Sequence, residues 1–266
     1  MTGVAQIWCD ADFDEPDEVS TSLGSLTLVS RRGPGKAINE DSCLLVDAGD
    51  AVLLAVADGI GGHAAGEHAS REALICLAAA FPGDGAPMSV LLEAIVQANQ
   101  AVIDLRLGAG TTLACALLER VGEDVTMRAL HAGDSNIYLV GQRGRVGYRS
   151  LSHAPTAYGQ EAGFLTEAEA LFHDERHVVY NALGGAAMHV TVGPACPMAA
   201  KDTLLLCSDG LSDNLWEAEI LDGARRGGMR AATQELGNLA TSRMTEYQKG
   251  RPGKPDDLAL MLFRRG

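Results

Sequence analysis

Aromatic residues make up only 5% of this 266-residue chain, so a packed interior must be assembled from Ala, Val, Leu and Ile. Long apolar runs are missing too. Stretches such as Ala51 to Ala57 and Leu204 to Cys207 fall far short of the ~18 residues that span a bilayer, so no membrane association is expected. The acidic N-terminus has no basic segment followed by an apolar one, so no secretory signal is visible and a cytoplasmic setting is expected. The six cysteines form no C-x-x-C pair and have no ligand-like spacing with histidine, which argues against a zinc site. In a reducing compartment they are expected as small core hydrophobes rather than disulfides. No cysteine is followed six positions later by arginine, which excludes a thiolate-and-arginine phosphate cradle. Basic surface is also scarce. A net charge of −14 disfavours nucleic acid as a partner, because phosphate backbones need Lys and Arg.

What is present is globular: 47% hydrophobic and 21% charged residues, enough for one core. Residues 1–22 are acidic and irregular and are expected as an arm, with at most one edge strand. The rest, 23–266, is expected as one domain. Strands are predicted at Leu26–Ser30, Ser42–Asp47, Ala51–Ala57, Thr111–Leu118, Val125–His131, Asn136–Val140, Tyr148–Leu151, His189–Val192, Thr203–Cys207 and Leu258–Phe263. Helical spacing is found over Ala64–Phe81, Met88–Leu107, Trp216–Arg226 and Met229–Tyr247. His153 to Val178 is polar and irregular, an excursion with a short helix near Thr166–Leu171. Strands and helices are segregated, so an α+β fold with antiparallel sheets is expected.

Four aspartates sit at strand ends. If Ala48-Gly49-Asp50 closes a hairpin, Asp41 and Asp58 fall opposite each other. Asp209 follows one apolar strand and Asp256-Asp257 precede another, so antiparallel pairing would bring these together as well. Crowded carboxylates repel one another, and hard divalent cations such as Mg²⁺ or Mn²⁺ relieve that cost. Asp58-Gly59 and Asp209-Gly210 have two readings. The glycine lets the chain turn sharply and expose a carbonyl as a ligand, or Asp-Gly is ordinary turn chemistry.

The segments Asn39-Glu40-Asp41-Ser42, Val56 to Glu67, Gly110-Thr111-Thr112, Ala132-Gly133-Asp134-Ser135, Ala182-Leu183-Gly184, Cys207 to Asp213 and Asp256-Asp257 then carry a resemblance. In order and type they are similar to the metal-dependent protein phosphatases (the PPM, or type 2C, family), in particular bacterial members. The resemblance implies an αββα sandwich, two antiparallel sheets flanked by helix pairs, with a two-metal site at one end. It implies that Asp58 bridges two divalent cations, the Gly59 carbonyl binds one, and Asp209 and Asp256 complete the other. Glu40 and Asp41 would hold metal-bound waters, and Asp134 and Asp213 match positions linked to a third, weaker metal. Residues 153–178 would be a flap beside the site. Two cations roughly 3.5–4 Å apart activate water for in-line attack on phosphorus, so no phosphoenzyme is needed. The implied substrates are phosphoserine and phosphothreonine in proteins acted on by a Ser/Thr kinase, and a monomer is expected.

There are departures from the family pattern. Lys36 stands where an arginine commonly grips phosphate, and lysine lacks the bidentate fork; Arg31 or Arg32 could substitute. Ile60 replaces a histidine proton donor of eukaryotic relatives, Asp257 the usual Asn and Asn136 the usual Arg. Ser152-His153-Ala154-Pro155 replaces the usual flap sequence. A catalytically silent phosphoprotein-binding module of the same fold, or an enzyme for a small phosphorylated metabolite, are the alternatives. His63 and His68 are expected to face solvent or cap a helix rather than bind metal, and Asp10-Ala11-Asp12 lacks the apolar strand a nucleophilic aspartate motif would need. Trp8 and Trp216 are expected to serve packing.

Overall fold

Strand-forming and helix-forming stretches alternate in blocks along the chain, and the computed structural model carries those blocks into four layers. The structure describes residues 4–62, 64–82, 85–246 and 248–266. One sheet runs β1 (Val4–Cys9), β4 (Asp41–Asp47), β5 (Ala51–Ile60), β7 (Leu113–Val121), β8 (Asp124–Ala132), β11 (Thr191–Met198), with the short β6 (Gly110–Thr111) paired to the end of β5. The other runs β10 (Val146–Arg149), β9 (Asn136–Val140), β12 (Thr203–Cys207), β13 (Leu258–Arg265), β3 (Gly24–Arg31), β2 (Asp17–Ser20). These neighbours all pair antiparallel. Helices α1 (Ala64–Ala80) and α2 (Pro87–Asp104) cover the first sheet, and α6 (Glu217–Arg225) and α7 (Met229–Thr245) the second. Between them lie α3 (Pro155–Glu161) and α4 (Glu167–Leu171), both within residues 153–178, and α5 (Asp209–Ser212) directly after β12. The expected αββα sandwich is the observed one.

The period-two rule explains why the central strands are apolar throughout. On β5, Val52, Leu54 and Val56 enter the core between the sheets, while Leu53, Ala55 and Ala57 face α1 and α2. On β13, Ala259, Met261 and Phe263 point inward, and Leu258, Leu260 and Leu262 meet α6 and α7. A strand buried on both faces has no polar side to show, so continuous apolar runs mark the middle of this sandwich. Aromatics are few here, as composition requires: Trp8 and Phe263 are those buried in the inter-sheet core.

Two expectations need correction. Residues 4–20 do not stand apart as a loose arm. β1 pairs with β4 from Val4↔Asp47 to Cys9↔Ser42, and β2 pairs with β3, so each sheet gains an edge strand. Trp8 is buried between the sheets and its indole N–H donates to Asp17 Oδ2 at 3.1 Å, tying the two edges together. Most of the acidic residues, Asp10 to Glu15, lie in the connection between β1 and β2 rather than in the strands, and Glu18 of β2 is exposed. The strand expected at His189–Val192 instead starts at Thr191 and continues to Met198. Pro194 and Pro197 read as breakers, but β11 is an edge strand, where a missing N–H costs no ladder bond. The predicted end of the last helix, at Tyr247, lies outside the described residues.

Candidate functional site

The first hairpin delivers its two aspartates as the turn predicts: Asp41 pairs with Asp58 across β4 and β5. The Asp58 backbone is fixed by the Gly110-Thr111-Thr112 segment. Its N–H donates to Thr112 Oγ1 at 3.0 Å, and its carbonyl accepts from the Thr112 N–H at 2.8 Å and the Thr111 hydroxyl at 2.9 Å. Gly59 is needed for close approach, not for a sharp turn: its φ is not positive, and a Cβ there would collide with the Gly66 carbonyl at the start of α1. Gly210 serves the same end, since a Cβ would strike the carbonyl of Asp257.

The second sheet brings its carboxylates to the same end of the sandwich. β12 and β13 pair to Cys207↔Leu260, so Asp209 at the start of α5 lies beside the Asp256-Asp257 segment that leads into β13. Ser208 joins the two sheets. Its hydroxyl donates to Asp41 Oδ2 at 2.6 Å and accepts from the Ala259 N–H at 2.9 Å. Asp257, 2% exposed, accepts from the Gly33 N–H at 2.7 Å with one oxygen and from the Glu40 N–H at 2.9 Å with the other.

The electrostatics of this cluster follow from burial and like charge. Loss of water pushes the Asp58 carboxyl well up, and Asp41, Asp209, Asp256 and Asp134 push it further. Asp41 is raised by burial and then by Asp257, against the Ser208 hydroxyl. Asp134 is raised to about 8 by burial, with Asp209 and Asp213 adding to it, and Asp213 to about 6 by burial and then Asp209. Burial raises Glu40, opposed by Lys36. Asp256 goes the other way: burial opposes its ionisation, but Lys254 and Lys36 outweigh that and hold it low.

Two lysines supply the countercharge. Lys36 Nζ lies 2.8 Å from Asp256 Oδ1, 2.9 Å from Asp257 Oδ2 and 3.3 Å from Glu40 Oε2. Lys254 Nζ lies 2.5 Å from Asp209 Oδ2, 3.0 Å from Asp213 Oδ2 and 3.2 Å from Asp256 Oδ2. With oxygens turned to ammonium groups, no three Asp, Glu, His or Cys side chains among the described residues form a ready-made coordination cage. The donor chemistry nonetheless fits hard divalent cations, since every candidate is an oxygen and several are buried carboxylates. Glu40 Oε1 is buried without a hydrogen-bond partner, as a group awaiting a cation or its water would be, while Asp213 Oδ2 faces the Lys254 ammonium.

The structure thus brings Glu40, Asp41, Asp58, Gly59, Asp134, Asp209, Asp213 and Asp256 to one end of the sheets. Lys36 reaches the cluster but is held by its carboxylates. Arg31 does not substitute for it, being spent on the Phe13 and Asp14 carbonyls, Asn238 and Thr241. Arg32 lies 3.5 Å from Asp10, and Asp10 itself holds the Asn39 N–H at 2.9 Å. His68 is exposed beside Glu67, and His63 lies outside the described residues. Residues 153–178 are tied to the cluster through His153, whose N–H donates to the Gly133 carbonyl at 2.9 Å. Asp134, Asp209 and Asp213 line a cavity shared with Arg149 and Arg176. Sequence reasoning missed Lys254, Ser208 and the bracing role of Asp257. Only their adjacency to Asp209 and Asp256 could have flagged them.

Residues 33–241 match the protein phosphatase 2C family profile. The chain is 33% identical over 259 residues to the serine/threonine protein phosphatase PstP of Mycobacterium tuberculosis, covering 90% of this chain and 46% of that protein, so it spans about half the length of this relative. It is 26% identical over 226 residues to the serine/threonine phosphatase stp of Listeria welshimeri, covering 80% of this chain and 84% of that one. Among solved structures, the PPM Ser-Thr phosphatase MsPP of Mycobacterium smegmatis, in complex with cacodylate, superposes with a TM-score of 0.73 at 32% identity, over 93% of this chain and 100% of that one. The PstP catalytic domain with two manganese ions superposes with a TM-score of 0.68 at 29% identity, over 90% of this chain and 97% of that one. With the sandwich, the ordered motifs and the carboxylate cluster in agreement, the chain belongs to the protein phosphatase 2C family, among its bacterial members.

Proposed function

We propose that this chain hydrolyses phosphoserine and phosphothreonine in proteins, using two divalent cations, Mg²⁺ or Mn²⁺, and so reverses the action of a Ser/Thr kinase. The observation that carries this is the convergence of Asp41, Asp58, Asp209 and Asp256 from two sheets onto one partly water-excluded end, where three of them raise the Asp58 carboxyl. The serine/threonine phosphatase relatives and the two manganese ions in the PstP catalytic domain support it.

In this reading Asp58, the Gly59 carbonyl, Asp209 and Asp256 would together hold two divalent cations. Asp134 and Asp213 are the donors for a third. Cations bound there would lower the pKa of a shared water and polarise the phosphoryl oxygens. The protein's own part is positioning. Thr111 and Thr112 fix the Asp58 backbone, Ser208 orients Asp41, and Asp257 fixes the Glu40 amide so that its carboxylate can accept from water. Lys36, at the rim and one-third exposed, is the group that would meet an incoming phosphate.

The test is hydrolysis of p-nitrophenyl phosphate and of a phosphothreonine peptide by folded protein, with Mn²⁺ or Mg²⁺ and with chelator. Metal-dependent turnover of both is expected. Absence of turnover with any divalent metal would favour a silent phosphoprotein-binding module. Turnover of small phosphates without the peptide would favour a metabolite substrate.

A further inference from the structure

Lys254 is not an ordinary surface lysine that happens to reach a carboxylate. Its backbone is locked to the element that carries two of its partners. The Lys254 N–H donates to Asn214 Oδ1 at 2.7 Å, and Asn214 Nδ2 donates back to the Lys254 carbonyl at 3.0 Å and to the Gly210 carbonyl at 2.9 Å. Asn214 is fully buried, and its own carbonyl accepts from Arg243 at 2.9 Å. The loop is therefore pinned to α5, and the lysine stem is directed into the space between α5 and the Asp256 segment. There the ammonium meets three carboxylates from two separate stretches of chain, with 18% of its side chain exposed.

That arrangement is how a cation is bound: one positive centre, three oxygens, little water. Each oxygen that Lys254 occupies is a donor that a divalent ion at Asp209, Asp213 or Asp256 could otherwise use. Asp256 is taken on both sides, by Lys36 at Oδ1 and by Lys254 at Oδ2. A divalent ion on these oxygens would stand within a few ångströms of the ammonium, and two cations that close in a partly desolvated site repel strongly.

We propose that Lys254 is a resident cation of the cluster: its ammonium occupies oxygens of Asp209 and Asp256 and of Asp213, the last a donor for a third divalent ion, holds the metal-free site together, and competes with metal for it. The inference rests on the reading of this cluster as a metal site. It makes Lys254 a positioning residue that sets how tightly, and how many, metal ions are held. The lysine has somewhere to go when displaced, since its side chain already touches solvent.

The test is calorimetric titration of Mn²⁺ into metal-free wild type and Lys254→Met, with thermal melts of both. The variant should bind its weakest Mn²⁺ at least about tenfold more tightly, as removal of a nearby like charge implies. Its metal-free form should melt lower than wild type, and Mn²⁺ should narrow that gap. Identical isotherms for the two proteins would overturn the inference while leaving the metal site intact. Failure of both to bind Mn²⁺ would overturn the metal site and the inference with it. Wild-type protein gives a check that needs no variant. Acetic anhydride labelling of Lys254, followed by peptide mass spectrometry, should rise severalfold when Mn²⁺ is added, and unchanged labelling would count against displacement.

Discussion

The Ser208 hydroxyl donates to Asp41 Oδ2 at 2.6 Å, a bond between residues from opposite sheets of the sandwich. The same oxygen accepts from the Ala259 N–H, so one small side chain satisfies a buried amide and a buried carboxylate together. Ser208→Ala should therefore destabilise the protein by about 1–3 kcal/mol, the cost of leaving buried polar groups unpaired. Urea denaturation of metal-free protein checks this. Mn²⁺-dependent turnover should fall too, because Asp41 would lose its only side-chain hydrogen bond among the described residues. A variant as stable as wild type would show that the bond contributes nothing.

Asp58 and Asp209 should separate function from stability. Asp58→Asn or Asp209→Asn should lower Mn²⁺-dependent hydrolysis of p-nitrophenyl phosphate by at least about 100-fold, since even outer partners of metal ligands cost up to that much. Metal-free Asp58→Asn should nonetheless melt higher than metal-free wild type. Its carboxyl is pushed up by burial and by four neighbouring aspartates, and the amide removes that repulsion. Near-wild-type rates in both variants would remove them from the site.

Lys36 and Asp257 are two positions where the sequence departs from the pattern its resemblance implies, and the structure makes them a pair. Lys36 Nζ lies 2.9 Å from Asp257 Oδ2, the oxygen that also holds the Glu40 N–H. An asparagine at 257 could not accept with both ends, so its amide would face either a backbone N–H or the ammonium. A double-mutant cycle of Lys36→Met and Asp257→Asn, read by urea denaturation, should show a coupling of about 0.5–3 kcal/mol, the range for residues in one network. Additive effects would mean that the pair is a coincidence of sequence.

The parts legible in the sequence were those with a short-range rule behind them. The apolar runs Cys43–Val46 and Ala51–Ala57 on either side of Ala48-Gly49-Asp50 specify a hairpin, and its register puts Asp41 opposite Asp58 with no knowledge of the rest. Buried strands such as β13 announce themselves by lacking a polar face. Lys254 was not legible. It sits in a Gly/Pro/Lys loop without periodicity, and its direction is set by Asn214, 40 positions away in the chain. The edge strands β1 and β2 were obscured because the acidic stretch Asp10 to Glu15 lies between them, and the bond from Trp8 to Asp17 that joins the two edges is not a local pattern. The glycines after Asp58 and Asp209 were recognised, but their reason is contact with Gly66 and Asp257, which no local pattern reports.

His153 provides the pH dependence. Its Nδ1 accepts from the Gly133 N–H at 3.1 Å and lies 2.8 Å from Asn181 Nδ2, while Nε2 lies 3.0 Å from the Thr191 hydroxyl. Two donors facing Nδ1 require the neutral ring with its proton on Nε2. His131 stacks at 4.7 Å and His189 lies at 5.0 Å, so a charged ring here would be buried against two other imidazoles. Burial first, then His131 and His189, lower the pKa to about 4. The unfolded chain takes up this proton near the ordinary value of about 6.5 and the folded one does not. Folding stability from His153 is therefore fully present above pH 6.5 and is lost as pH falls towards 4. The urea midpoint of wild type should drop more steeply between pH 7.5 and 5 than that of His153→Gln, which cannot gain the charge. Because protonation of Nδ1 would remove the acceptor of the Gly133 N–H, the Gly133-Asp134 turn should loosen in step, visible as faster amide hydrogen exchange there at pH 5. Parallel pH profiles for the two proteins would show that the imidazole is not the group being titrated.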